Sequence, residues 1–216
     1  MVGVVIPSYY EAKLFFKRLE NRISFCLGKP CGYKGKIDDA DVIGCLIRIG
    51  MPIAAESTQQ LIDEFKIDKL ILAGFAGGLD PSLKRGDLLH VPSDEISTAI
   101  YTGAEVVATV ADKKALWEQT GCRIVDMESG PVAEVASSND IPFSVIRVVS
   151  DDANEAVPVD ILDYGYNREK GRETPVRMGL RLATHPKEIF EVKRFLEKTG
   201  PCRSILADAI EAVISG

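Results

Sequence analysis

The sequence predicts a single α/β domain around a twisted, largely parallel sheet flanked by helices, and three observations support this. The chain has 216 residues, which is within the usual size of one domain. Short runs rich in β-branched residues alternate with longer segments of helical periodicity, the pattern of βαβ units. Hydrophobic residues make up 46% and charged residues 27%, as in ordinary globular proteins. We therefore expect residues 1–216 to form one domain.

In the first half of the chain, the elements follow from the hydrophobic pattern and the turn residues between the runs. In order, the sequence predicts a strand over Val2–Ile6, a helix over Tyr10–Arg22, a strand over Asp41–Ile49, a helix over Ala54–Phe65 and a strand over Leu70–Ala73. Gly74–Asp80 is rich in glycine and predicts a turn. Asp87–Val91 then resumes strand character.

The second half continues the alternation and ends in helices. The predicted elements are a helix over Ala111–Gln119, a strand over Arg123–Asp126, a helix over Val132–Ser138 and a strand over Phe143–Val149. Arg147 interrupts the apolar run of the last strand and needs a partner or an exit to solvent. Asp152–Pro175 is polar and predicts a loop or lid. Two helices should follow, one starting after Thr184-His185-Pro186 and one over Arg203–Ile214.

Charge is distributed unevenly along the chain. Residues 167–203 hold ten Lys or Arg against five Asp or Glu, so this stretch carries +5 although the whole chain carries −6. The remainder is strongly acidic, which argues against general binding of nucleic acid, because phosphate contacts need a basic face. We predict a basic helical extension from about residue 167 on an acidic body.

Composition also bears on compartment and metals. No apolar run approaches the roughly 18 residues that a membrane span needs, and Met1–Pro7 lacks the basic start of a secretion signal. The five cysteines are scattered without a Cys-x-x-Cys pair, and only two histidines accompany them. We therefore predict a soluble, cytoplasmic chain with neither a disulfide framework nor a metal site, in which the cysteines are mostly small core residues.

The candidate chemistry is acidic. The chain lacks the Gly-x-x-x-x-Gly-Lys-Ser/Thr, Gly-x-Gly-x-x-Gly and His-Glu-x-x-His motifs. Glu11 follows the first strand, Glu128 opens a helix and Asp151 lies just beyond the last strand. Ligands of open α/β sheets bind outside the carboxyl ends of the strands, so these three acids could converge on one cleft. Taken singly, each also fits a helix cap or a partner of the helix dipole.

The glycine-rich segment Ala73–Leu79 has two interpretations that its spacing leaves open. It is either a tight turn or a place where the backbone of Ala76 and Gly77 closely approaches a flat or anionic ligand. Phe75 would stack on that ligand or belong to the core. The Ser150-Asp151-Asp152 run is more informative, because consecutive acids at the end of a buried strand are poorly explained by packing.

Four segments together carry a family pattern: Leu72–Asp80, Lys84–Asp87, Val125–Ser129 and Pro142–Asp151. They resemble the nucleoside phosphorylase family, and within it the methylthioadenosine/S-adenosylhomocysteine nucleosidase branch, over most of residues 2–152. Glu11 falls at the position of the N-terminal glutamate of that branch. The extension after Asp151, with its Thr184-His185-Pro186 pattern, is similar to the hopanoid-associated branch, which cleaves adenine from adenosylhopane.

The resemblance implies a role for each acid. Asp151 would protonate N7 of a purine leaving group, which requires that burial or a neighbouring carboxylate keep it protonated near neutral pH. Glu128 would hydrogen-bond the ribose hydroxyls, with Met127 packed against the sugar. Glu11 would orient or deprotonate the attacking water. This division of roles suits glycosidic cleavage through an oxocarbenium-like state.

Two further contacts follow from the resemblance, and so does a choice of nucleophile. Ser150, the neighbour of Asp151, would bind the substrate. Val106-Val107 would cover the purine face, where the family usually has an aromatic residue. Phosphorylases of the family surround phosphate with arginines, whereas this chain has Leu72 in the glycine-rich strand and Pro7–Tyr10 in the first loop. Hydrolysis is therefore favoured, without a cofactor. The alternatives are a phosphorylase, which would need phosphate, and a nucleoside-binding protein without turnover.

The expected partner is a small-molecule nucleoside. The site should be more open around its ribose 5′ position, because the connector between Asp87 and Thr102 is shorter than in the family. The family usually associates, so a homo-oligomer is expected. The basic helix over 187–198 has two interpretations. Its apolar face covers the core, or the helix makes weak contact with a membrane surface or a lipid-like substrate. That face consists of Ile189, Val192, Phe195 and Leu196.

Overall fold

The computed structural model describes residues 1–28, 30–158, 166–167 and 172–216, and its elements confirm the predicted α/β class. The strands are β1 (Val2–Ile6), β2 (Glu20–Cys26), β3 (Cys31–Ile37), β4 (Ala40–Leu46), β5 (Lys69–Gly78), β6 (Leu88–Pro92), β7 (Ile100–Thr102), β8 (Ile124–Asp126), β9 (Phe143–Asp151), β10 (Tyr166–Asn167) and β11 (Arg172–Glu173). The helices are α1 (Tyr9–Arg18), α2 (Met51–Glu64), α3 (Ile96–Ala99), α4 (Val110–Thr120), α5 (Ser129–Ser138), α6 (Pro175–Thr184) and α7 (Pro186–Ser215).

Strands β1 to β9 form one mixed sheet in the order β2-β3-β4-β1-β5-β8-β7, with β9 paired to β5 and β6. β1 is parallel to β4 and β5, and β5 is parallel to β9. The carboxyl ends of β1, β5 and β9 therefore meet at one edge. β8 is antiparallel to β5 and pairs with its last residues, Gly77 and Gly78, so β8 also lies at this edge.

Helices cover both faces of the sheet. On one face, Leu61 of α2 and Val132 of α5 belong to the same buried cluster. On the other face, Phe15 of α1 packs in a second cluster with Leu206 and Ile210 of α7. Burial on both faces explains why β1 and the first half of β5 read as nearly continuous apolar runs rather than as alternating ones.

The amino-terminal region contains a hairpin that the sequence prediction missed. Helix α1 ends at Arg18 rather than at the predicted Arg22, because Glu20–Cys26 leaves it as β2 and pairs with β3. Most side chains of β2 are exposed. An edge strand with little buried surface lacks the apolar alternation by which strands are recognised.

The same hairpin corrects the prediction for two cysteines. Cys26 and Cys31 lie directly opposite each other in the β2–β3 register and form a disulfide. The expectation of a chain without a disulfide framework is corrected by this bond, and the prediction that the cysteines are mostly core residues does not hold for this pair. It is confirmed for Cys45, Cys122 and Cys202, which are buried and free.

The predicted turn over Gly74–Asp80 is also wrong, because β5 continues through Gly78. A Cβ on Gly77 would lie 3.1 Å from Cγ1 of Val125, and one on Gly78 would lie 3.2 Å from Cγ1 of Val149. Glycine is thus favoured by close neighbours within the sheet rather than by the backbone of a turn.

The C-terminal region differs from the prediction in its helices. Of the predicted loop or lid over Asp152–Pro175, residues 159–165 and 168–171 lie outside the described residues. In the part that is described, β10 pairs antiparallel with β11, and the unpredicted helix α6 follows. The two predicted last helices are one helix, α7, which contains Pro201.

The predicted apolar face of the basic helix is divided. Val192 is buried and Phe195 is half-buried, so this part covers the core, whereas Ile189 and Leu196 are exposed. Contact of this segment with a membrane surface stays a prediction, as does the homo-oligomer. Within the described part of the chain, no helix combines the length and hydrophobicity needed to cross a bilayer.

Candidate active site

One cavity of about 270 Å³ lies where β1, β5, β8 and β9 meet at the edge of the sheet. All ten residues predicted to act on or contact a substrate line it: Glu11, Phe75, Ala76, Gly77, Val106, Val107, Met127, Glu128, Ser150 and Asp151. Two further acids, Glu105 and Asp126, also line the cavity. No lysine, arginine or histidine among the described residues does so. The lining is therefore apolar and acidic.

Glu11 is fixed in the first turn of α1 by a capping box with Ser8, the residue that caps the helix. The hydroxyl and the backbone N–H of Ser8 donate to Oε2 of Glu11 at 2.5 and 3.1 Å. The backbone N–H of Phe75 donates to Oε1 at 2.7 Å, which ties the helix to β5. Burial raises the pKa of Glu11, while the hydrogen bonds and the charge of Arg147 oppose that rise.

Arg147 is fully buried in β9 and binds two acids. Its Nε and Nη2 donate to Oδ2 of Asp126 at 3.0 and 2.6 Å, and Nη2 donates to Oε2 of Glu128 at 3.3 Å. The prediction that Arg147 needs a partner is thereby confirmed. Its Nη1 has no hydrogen-bond partner among the described residues.

Glu128 lies between β8 and α5, and its Oε1 accepts a hydrogen bond from the backbone N–H of Gly50 at 3.0 Å. Burial raises the pKa of Glu128 to about 7; Arg147 opposes the rise, and the charges of Asp126 and Glu11 add to it. Three buried carboxylates thus share one guanidinium. The cluster carries more negative than positive charge when all three are ionised, and this surplus adds to the rise in the pKa of Glu128.

Gly74 is the residue that lets this cluster assemble. It lies directly opposite Arg147 in the pairing of β5 with β9. A Cβ on Gly74 would overlap Nη1 of Arg147 and would lie 2.9 Å from Oε1 of Glu11. The unpartnered Nη1 of Arg147 and the Oε1 atom of Glu11 therefore border the same small volume beside the cavity.

Asp151 ends β9, one residue after a bulge in its pairing with β5. Ser150 Oγ donates to Oδ1 of Asp151 at 2.5 Å, and Lys113 Nζ donates to Oδ2 at 2.5 Å. The sequence prediction invoked burial or a neighbouring carboxylate to keep Asp151 protonated. Asp151 is indeed buried, but the neighbouring group that the structure supplies is a buried ammonium.

The apolar lining is formed by Phe75, Met127, Val106 and Val107. The ring of Phe75 packs edge-on against Tyr10, with ring centroids 6.3 Å apart. Phe75 both touches the core and faces the cavity, so its two predicted roles coexist. The valines occupy the position at which the resemblance implies a cover for a flat ligand.

Sequence reasoning missed Lys113, Tyr10 and Val157. Tyr10 and Val157 line the cavity directly, and nothing in their sequence context marks them. For Lys113 a signal exists. It shares a face of α4 with Leu116 and Trp117, three and four residues later, and both of these pack on a small buried cluster. A lysine on the buried face of a helix needs a partner.

Comparison with known proteins follows this geometry. The family model described as the phosphorylase superfamily matches residues 2–99 and 96–184. The chain belongs to the phosphorylase superfamily. This membership confirms the resemblance inferred from sequence and the prediction of an enzyme of the nucleosidase or nucleoside phosphorylase kind.

Solved structures of the superfamily share the fold at low sequence identity. The 5′-methylthioadenosine/S-adenosylhomocysteine nucleosidase of Neisseria meningitidis, in complex with methylthio-immucillin-A, is 21% identical, with a TM-score of 0.71 over 100% of this chain and 99% of that one. The futalosine hydrolase of Helicobacter pylori is 21% identical, with a TM-score of 0.63 over 71% and 85%. The nucleosidase of Colwellia psychrerythraea, in complex with adenine, is 22% identical, with a TM-score of 0.65 over 79% and 88%. These similarities confirm the predicted fold.

Proposed function

We propose that this superfamily member hydrolyses the N-glycosidic bond of a purine nucleoside and releases adenine from a 5′-substituted adenosine. The observation that carries the proposal is the meeting of Glu11, Glu128 and Asp151 at one cavity, each held by different partners. Cleavage through an oxocarbenium-like state needs separate groups for the nucleophile, the sugar and the leaving group. Three independently positioned carboxyls meet that need.

In the proposed reaction, Asp151 donates a proton to N7 of the purine, so that the base leaves as a neutral molecule. Glu128 accepts hydrogen bonds from the ribose hydroxyls, and Met127 packs against the sugar. Glu11 takes a proton from the attacking water. Its raised pKa favours this role, because a base that holds a proton more tightly removes one from water more readily.

Water is the proposed nucleophile because the lining offers little to a dianion. Among the described residues, every charged group that lines the cavity is a carboxylate. Phosphate in such a cavity would be repelled rather than held. The unpartnered Nη1 of Arg147 and Oε1 of Glu11 supply one donor and one acceptor, which suits a neutral water.

The proposed 5′ substituent is bulky and lipid-like, as in adenosylhopane. A second cavity, of about 540 Å³, shares Val157 and Phe195 with the first. Its lining combines the apolar residues Ala156 and Pro158 with charged ones. A long substituent leaving the ribose could continue past the two shared side chains into this space.

Product analysis tests the proposal. The wild-type protein is incubated with methylthioadenosine and with adenosylhopane, each with and without phosphate, and adenine and the sugar product are quantified. We expect adenine and a free sugar without phosphate, and faster release from the substrate with the larger 5′ group. A sugar 1-phosphate formed only with phosphate would instead identify a phosphorylase. Binding of both nucleosides without any product would identify a binding protein without turnover.

A further inference from the structure

Lys113 is a fully buried lysine, and among the described residues its one charged contact is Asp151. Its Nζ donates to Oδ2 of Asp151 at 2.5 Å and to the backbone carbonyls of Asp152 and Glu155, each at 2.8 Å. All three N–H bonds of the ammonium are therefore used. A lysine this deeply buried is costly to charge unless it is fully paired, as this one is.

This contact raises a difficulty for the proposed function, on which the inference rests. Asp151 must deliver a proton to the purine, but a carboxyl in direct contact with an ammonium is stabilised in its ionised form. An ionised carboxylate has no proton to give. Asp151 has two side-chain hydrogen-bond donors among the described residues, the hydroxyl of Ser150 and the ammonium of Lys113, each at 2.5 Å. The ammonium is the more acidic of the two and is therefore the better source of a proton.

We propose that Lys113 is the proton source of the leaving-group acid, passing a proton through Asp151 to N7 of the purine. Lys113 does not line the cavity, so it acts on the substrate only through Asp151. It is a positioning residue that also stores a proton, rather than a group that touches the substrate.

The hydrogen-bond geometry suits both protonation states of Lys113. The carbonyls of Asp152 and Glu155 can only accept, so they need two N–H donors in either state. A neutral amine keeps two N–H bonds for them and turns its lone pair toward Asp151. The third contact simply reverses direction, from N–H donating to carboxylate to carboxyl O–H donating to nitrogen. Transfer of the proton from Nζ to Oδ2 therefore breaks no hydrogen bond, and the O–H···N contact is given up only when the proton moves on to N7.

The atoms and charges balance over one turnover. Nζ gives a proton to the Asp151 carboxylate, and the carboxyl gives it to N7 as the C1′–N9 bond breaks with its electron pair left on the purine. Water oxygen forms the new bond to C1′, and the proton that water loses goes to Glu11. Neutral adenine leaves. Glu11 then releases its proton to solvent and Lys113 takes one up, which restores the starting state.

The test compares the wild type with Lys113→Met and Lys113→Arg in pH profiles of kcat/KM for adenine release from pH 5 to 10. Met preserves the length of the side chain without a proton, and Arg preserves the charge but does not give up its proton in this range. Lys114→Met is the matched control, because the neighbouring Lys114 is exposed and pairs with Glu118 on the surface. Thermal melting checks that each variant is folded.

We expect Lys113→Met and Lys113→Arg to lose about 10²- to 10⁴-fold in kcat/KM at pH 8, the usual contribution of a general acid. The alkaline limb of Lys113→Met should move at least two pH units below that of the wild type, because a carboxyl loses its proton at lower pH than an amine does. Lys114→Met should match the wild type. A role as a mere counter-charge predicts that Lys113→Arg stays within threefold of the wild type, and that result would overturn the inference.

The wild type alone provides a second measurement if neither Lys113 variant folds. On the alkaline side its kcat/KM should fall only as an amine loses its proton, since the stored proton belongs to an amine rather than to a carboxyl. An alkaline limb below about pH 8 overturns the inference while leaving the proposed function intact. Absence of adenine release from any nucleoside overturns the proposed function itself, so the two failures are distinguishable.

Discussion

Two cations are fully buried among the described residues, and they differ in how many acids each one faces. Arg147 serves Asp126, Glu128 and, at longer range, Glu11. Among the described residues, Lys113 pairs with the one acid Asp151 and donates its other hydrogen bonds to two backbone carbonyls. The first group has a surplus of negative charge, whereas the second is balanced.

The difference matches the two halves of a glycosidic cleavage. Where carboxylates outnumber cations, protons are held more tightly, and the pKa of both Glu11 and Glu128 is raised. That side of the cavity is suited to taking a proton from water. Where one ammonium meets one carboxylate, a proton is present and can move between them without a net change in charge. That side is suited to giving a proton to a leaving group.

The largest effect should come from removing the cation of the crowded group. Arg147→Met leaves two directly contacted carboxylates buried without their partner, and we expect the free energy of unfolding to fall by about 3–5 kcal/mol or more. Thermal melting at pH 7 would measure the loss. The exposed Arg123, which reaches Asp80 at 3.4 Å, provides the control, and Arg123→Met should cost less than about 1 kcal/mol. Equal losses in the two variants would contradict the view that Arg147 organises the cluster.

Sequence reasoning reached three of the four acids in the two groups, all except Asp126, because each of the three follows an apolar strand. Glu11 and Asp151 come after β1 and the apolar part of β9, whose carboxyl ends meet because both strands run parallel to β5. Glu128 follows β8, which runs antiparallel to β5 and lies at the same edge. The apolar runs predicted these strands for the same reason: burial on both faces leaves a clear pattern. Local pattern thus sufficed wherever the position of a residue along its own strand determined its surroundings.

The partners of the two cations were harder to predict from the sequence, because packing between distant segments determines them. Lys113 meets Asp151 only after α4 docks beside the end of β9, and no spacing in the sequence encodes that distance. Gly74 reads as a turn residue until the side chain of Arg147 is seen to cross it. The β2–β3 hairpin, with its disulfide between Cys26 and Cys31, was not predicted for a different reason, which is that exposed strands leave no apolar pattern in the sequence.

A second prediction separates the two groups by substrate. Glu11→Gln should lower kcat about 10²- to 10⁴-fold for both an adenine nucleoside and 4-nitrophenyl riboside, because both need an activated water. Asp151→Asn should lose as much on the adenine nucleoside but less than about tenfold on the nitrophenyl riboside, whose leaving group departs without a proton. Release of adenine and of nitrophenolate measures the two rates.

Two exposed acids provide matched controls for this comparison. Glu20→Gln and Asp94→Asn make the same chemical changes away from the cavity, and both should keep wild-type rates on both substrates. Circular dichroism establishes that each protein is folded. If Asp151→Asn lost the same factor on the nitrophenyl riboside as on the adenine nucleoside, the assignment of Asp151 to the leaving group would be wrong.

The smallest predicted effect is the dependence of stability on pH that the crowded group imposes. The pKa of Glu128 is about 7 in the folded protein against an ordinary value of 4.5, so the folded state binds more protons than the unfolded state between those values. The destabilisation is absent below about pH 4.5, grows as pH rises and is complete above about 7. The Glu128→Gln variant has no carboxyl proton to lose, so it does not undergo this pH-dependent destabilisation.

The melting temperature of Glu128→Gln minus that of the wild type should therefore rise between pH 5 and pH 8. Each kcal/mol of stability moves the melting temperature of a domain this size by about 2–4 °C, so we expect a relative gain of a few degrees. Any cost of the amide beside Arg147 is the same at both pH values and cancels. Glu134→Gln, an exposed change on α5, the helix that follows Glu128, should give no such difference. A constant or falling difference for Glu128→Gln would mean that Arg147 neutralises the cluster fully, and the contrast with Lys113 would lose its basis.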